Sequence, residues 1–174
     1  IMVGFIFVIS LSFLMFEVLL TRISKIFFGD SFDQVLIISL VVLGFGVGAN
    51  SLDYLSKLIE KKNFFSILAL LTFLYSLFLN FPIAFLHTSF AVDNLFITKI
   101  IYFILIFVIY VLNGMILSLI YQKYKEEISI IYFSSTLGAS IGCFLAIYLM
   151  NLFTIESLIK IIILLSFVAL IFCS

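Results

Sequence analysis

The 174-residue sequence contains one proline, one histidine, two cysteines and no tryptophan, and only 10% of its residues are charged. One proline and eight glycines exclude a loop-rich fold. The two cysteines, Cys143 and Cys173, stand in apolar runs far from any histidine, so a disulfide framework is excluded and both read as buried free thiols. The shortage of charge excludes more. Soluble domains carry about 25% charged and about 45–50% apolar residues. Here 66% are hydrophobic and the mean hydropathy is +1.43, which leaves too little polar surface to cover a globule in water. Disordered and collagenous chains are excluded with it. Nine basic and nine acidic residues balance, so nothing points to nucleic acid as a partner. What remains is an integral membrane protein whose first partner is the lipid bilayer.

About 20 apolar residues at a rise of about 1.5 Å cross a hydrocarbon core of about 30 Å. Charge-free stretches predict six such spans, at about 2–21, 34–52, 64–86, 100–121, 130–152 and 157–174, with Pro82 in the last turn of the third. The fold class is therefore all-α, a polytopic transmembrane helical bundle forming a single domain over 1–174. Barrel strands would alternate apolar and polar residues, and these runs do not. No basic segment precedes the first span and no small-residue cleavage site follows it, against a signal peptide. The closing run LSFVALIFCS carries no charged or aromatic anchor, so the chain is expected to be a fragment of a longer protein. Lys57, Lys61, Lys62, Lys123 and Lys125 fall on one side of the membrane, and Arg22, Lys25, Lys99 and Lys160 on the other. Tyr54, Tyr121, Tyr124 and Tyr132 gather on the first side as an interfacial belt. The expectation is a plasma (inner) membrane protein with both ends cytoplasmic.

Span two contains Gly44-Phe-Gly46-Val-Gly48 and span five contains Gly138-Ala-Ser-Ile-Gly142, 94 residues apart. Spans one and four, and spans three and six, are separated similarly. Three helices repeated at odd number enter the membrane in opposite sense, as in the inverted 3+3 repeats of each major-facilitator half. Helices in lipid associate by close backbone packing, so Gly44 with Gly48, Gly138 with Gly142, and Gly114 read as helix-packing positions. Gly44 to Ala49 also fits G-x-G-x-x-[GA], but inside a spanning run it lacks the strand and the water-accessible loop that a dinucleotide site needs. No cofactor is expected in this chain.

Among the polar residues, Glu17 stands inside span one, a few residues from its end; a charge is most costly at a span's centre and less so near its ends, and Glu17 should face other helices. Arg22 follows five residues on, about 140° around the helix, too far for a good intrahelical pair. Asn113, beside Gly114, places an amide at membrane depth. Glu17, Arg22 and Asn113 are the candidates for substrate binding or proton coupling; for Glu17 and Arg22 the competing reading is structural ion pairing. Asn50 and Asp53 end span two. Asp30, Ser31 and Asp33 are expected in the first outer loop, and His87 at the end of span three. No catalytic set of residues and no metal-ligand spacing is present.

Residues 16–22 (Phe-Glu-Val-Leu-Leu-Thr-Arg), 28–31 (Phe-Gly-Asp-Ser), 44–48 (Gly-Phe-Gly-Val-Gly) and 131–142 (Ile-Tyr-Phe-Ser-Ser-Thr-Leu-Gly-Ala-Ser-Ile-Gly) together resemble the membrane region of spermidine-synthase-like (polyamine aminopropyltransferase) membrane proteins. This sequence departs from that pattern at Phe16, where tyrosine is frequent, and at Leu20, where tryptophan is. It also departs at Ser135, where asparagine is common, and at Leu117-Ser118, where phenylalanine-proline is usual. The resemblance implies a major-facilitator-like fold and an association with a cytoplasmic synthase domain, absent from these 174 residues, that handles polyamines. Three functions are thus expected in competition. One is a membrane domain that anchors, and supplies, a polyamine-synthesis domain. The second is half of a major-facilitator-type transporter. The third is a membrane scaffold without substrate.

Overall fold

The computed structural model describes residues 2–29, 31–56, 64–86 and 95–171, and within them the side chains of all but 31, 52–56 and 95. The expectations placed on Asp30, Lys57, Lys61, Lys62, His87 and Cys173, and on the side chains of Asp53 and Tyr54, lie outside this set.

The described chain is helical. In order come α1 (Met2–Phe28), α2 (Ser31–Ser56), α3 (Phe64–Phe78), α4 (Phe81–Leu86), α5 (Leu95–Lys123), a 3₁₀ turn (Lys125–Glu127), α6 (Ile128–Leu152) and α7 (Ile155–Ile171). Five stretches are long and apolar enough to cross a membrane, the α3–α4 pair counting as one. The sixth, α7, shows 17 described residues, about 25 Å of helix. The bundle is all-α, and the apolar helices make it a membrane-embedded domain.

Several helices overrun the charge-free stretches. α1 continues past Thr21 to Phe28 and closes on Gly29, whose φ of +72° lets its N–H donate back to the Lys25 carbonyl at 3.1 Å. Ser31 and Asp33 belong to the first turn of α2, not to a loop, because a helix N-terminus favours a carboxylate there. Pro82 does more than occupy the last turn of span three. It cannot donate to Phe78, and the helix breaks at Leu79–Asn80 into α3 and α4.

α1 is the most enclosed helix, burying Phe5, Phe13, Phe16, Leu19 and Leu20 among others. It runs parallel along α6 and also meets α7; α2 runs parallel along α5; α3 packs between α5 and α7. Exchange spans one, two and three for four, five and six, and these pairs map onto one another. The α1–α6 pair becomes α5–α2, α1–α7 becomes α5–α3, and α3–α7 returns to itself. The register follows. Gly138 and Gly142 sit on the Phe7 and Leu11 carbonyls, and Gly44 and Gly48 on those of Phe107 and Val111. Phe107 and Val111 stand 100 residues after Phe7 and Leu11, against 94 between the glycines. The offsets differ because α5 stops at Lys123, the counterpart of Ile23, whereas α1 runs on to Phe28.

Candidate functional site

Asn113 is fully buried in α5, and neither its amide nitrogen nor its amide oxygen has a hydrogen-bond partner among the described residues. Tyr110, one turn earlier, is fully buried, its hydroxyl equally unpartnered among the described residues. Tyr75 of α3 points its hydroxyl toward Asn113 and toward Ser12 of α1, within interaction range but without closing a hydrogen bond. Ser12 donates instead to the Ile9 carbonyl, at 2.8 Å. Tyr102, about two turns before Tyr110 on α5, donates to the Leu20 carbonyl of α1 at 3.4 Å. The result is a polar seam between α1, α3 and α5 inside an aromatic wall. Phe13 meets the Tyr75 ring edge-on at 4.8 Å, and Phe45 of α2 meets Tyr110 at 5.6 Å. Each buried polar atom left unpaired costs about 1–3 kcal/mol, so such groups are rare in folded proteins.

Glu17 is half-buried on α1, forms no ion pair with a described residue, and lies within electrostatic range of the Tyr110 hydroxyl. Its carboxylate therefore adds negative charge to the surroundings of the seam. The amide oxygen and hydroxyls accept N–H donors, and the ring faces and carboxylate favour positive charge. Arg22 is not brought there. It is exposed, in a separate cleft with Lys25.

Sequence reasoning singled out Asn113 and Glu17 but missed Ser12, Tyr75, Tyr102 and Tyr110. A signal for three of these positions was available. At about 100° per residue, Tyr102, Tyr110 and Asn113 fall within about 80° of one another on α5. It also missed an ion pair. Lys99 Nζ reaches Asp33 Oδ2 at 2.7 Å, with Asp33 buried and Lys99 lying over the Phe28 ring at 5.2 Å. This pair ties the first turn of α2 to the first turns of α5.

The glycines are placed by sterics. A methyl group on Gly48 would meet the Val111 carbonyl, one on Gly114 the Phe45 carbonyl, and one on Gly142 the Leu11 carbonyl. Ser134 donates to the Val3 carbonyl at 2.8 Å and Ser135 bonds Ser10 at 2.9 Å, closing α6 on α1. At the same end of the bundle, Tyr124 lies between α5 and the 3₁₀ turn, where partial burial and then the Glu127 carboxylate push its phenol above the usual range. Among the described residues, no group of three or more His, Cys, Asp or Glu side chains could hold a metal ion. No family model, curated protein or solved structure matches the chain.

Proposed function

We propose that this chain is the membrane domain of a spermidine-synthase-like protein, holding a cytoplasmic polyamine-synthesis domain at the bilayer and supplying it with cationic solute through the seam. The observation that carries the reading is that the stretches behind the resemblance lock together around α1. Ser134, Ser135, Gly138 and Gly142 of the 131–142 stretch all seat on α1, the helix that carries 16–22. Phe45 of the 44–48 stretch reaches Phe13 of α1, ring centroids 6.4 Å apart. A polyamine is a string of ammonium groups, and its passage through lipid needs a carboxylate and hydrogen-bond acceptors along the way. Glu17, Tyr110, Tyr75 and Asn113 supply them.

The test is spermidine uptake into sealed vesicles carrying the protein. Glu17→Gln is expected to cut the flux at least tenfold. Flux and polyamine-dependent growth unchanged by Glu17→Gln would overturn the supply role.

The exchange of packing partners between the two triplets favours a second reading, half of a major-facilitator-type transporter, in which substrate sits between two six-helix units. That reading expects cross-linked pairs of the chain in the membrane, and loss of flux when pairing is blocked.

A further inference from the structure

A cleft of about 460 Å³ opens between α1, α2 and α6, near the C-terminal end of α1. Its walls change character with depth in the same way on all three helices. On α1, Lys25 and Arg22 stand toward the helix end and Val18 one turn further in. On α2, Gln34 comes one turn before Ile38; on α6, Asn151 comes one turn after Ile147. Spacings of three and four residues put each set on a single helix face. The mouth is therefore cationic and amide-lined, and the floor aliphatic. Among the described residues neither cation has a carboxylate partner, and Asp33, in the first turn of α2, is engaged by Lys99.

The internal repeat supplies a comparison. A second cleft, of about 480 Å³, is lined by Ser118, Tyr121, Gln122 and Lys125, which stand 100 residues after Val18, Thr21, Arg22 and Lys25. The two clefts occupy equivalent places at opposite ends of the bundle. One holds two cations where the other holds one.

We propose that the α1–α2–α6 cleft binds an anionic phospholipid, its phosphate held by Arg22 and Lys25 and the start of its acyl chains laid on the aliphatic floor. A guanidinium presents a two-pronged donor to a phosphate and an ammonium a point charge, so the pair is suited to one phosphodiester. Free phosphate would use the mouth and leave the floor wet; the floor is what selects a lipid. The site is independent of the seam and of any polyamine role.

The test is titration of the purified protein in detergent with dioleoylphosphatidylglycerol and dioleoylphosphatidylcholine, read by native mass spectrometry. Phosphatidylglycerol should be retained over phosphatidylcholine. The double variant Arg22→Gln/Lys25→Gln should bind it roughly thirtyfold more weakly, and Lys25→Gln alone about fivefold. Arg22→Lys, which keeps the charge but loses the two-pronged contact, should bind it more weakly than the unaltered protein but more tightly than the double variant, and Lys125→Gln, in the sister cleft, should leave the affinity unchanged. The single Lys25→Gln change is at an exposed position and serves if the double variant does not fold. Equal retention of the two lipids, or an unchanged affinity in Lys25→Gln, would overturn the proposal. Displacement by millimolar inorganic phosphate would make this a free-phosphate site and would overturn it equally.

Discussion

Asn113 concentrates the account at the scale of one residue. Its buried amide finds no hydrogen-bond partner among the described residues, which lowers the stability of the fold. Replacing it by a side chain of similar size without polar atoms removes that penalty. Asn113→Leu is therefore expected to raise the unfolding free energy of the ligand-free protein by about 1–3 kcal/mol while abolishing spermidine uptake. Thermal unfolding in detergent, followed by helical ellipticity, measures the first; a loss of stability would mean that the amide is satisfied. Asp33 behaves oppositely, because it is paired. Asp33→Asn should cost about 1–3 kcal/mol in the same assay, below the roughly 3–5 kcal/mol of a fully buried pair, because Lys99 keeps 32% of its side-chain exposure and can rehydrate. An unchanged melting temperature would remove the ion pair from the account. Asn113 was legible in the sequence because an amide within a charge-free run has few reasons to be there. Asp33 was not, because it follows a glycine and a polar pair, and its partner Lys99 lies in another helix.

At the scale of elements, the pairing of helices rests on backbone contact at glycine. Gly48 and Gly142 admit no added carbon, whereas Gly46, on the same helix as Gly48, faces open space. Gly48→Ala and Gly142→Ala should each destabilise by about 1–3 kcal/mol, as overpacking does. Gly46→Ala should be neutral or stabilise by up to about 1 kcal/mol through helix propensity. Equal effects at all three positions, by the same unfolding measurement, would mean that the helices do not meet at these grooves. The grooves could be read from the 94-residue spacing, but their occupants could not. A G-x-x-x-G pattern says that something approaches closely; that α1 fills one groove and α5 the other depends on the arrangement of the whole bundle. The break in span three was half legible. Pro82 marks it, but the position of the kink depends on the helix turn that precedes the ring.

At the scale of the molecule, the claim is a membrane bundle of two triplets, equivalent in packing and opposite in direction. The spans were the most legible part, because lipid demands runs of about 20 apolar residues whatever the function. The tyrosines of the seam were the least, because tyrosine in a membrane chain ordinarily marks the interface, and three of them here lie inside. Opposite direction places Lys25 and Lys125, equivalent in the two triplets, on opposite faces of the bilayer. The larger number of lysines expected on the Lys125 side is the basis for proposing that side as the cytoplasmic one.

The most direct test is labelling of Lys25→Cys and Lys125→Cys, each in a background with Cys143 and Cys173 replaced by serine, using a membrane-impermeant maleimide on intact cells and on inverted vesicles. The account predicts that Lys25→Cys reacts only from outside and Lys125→Cys only from inside. Reaction of both from the same side would contradict it.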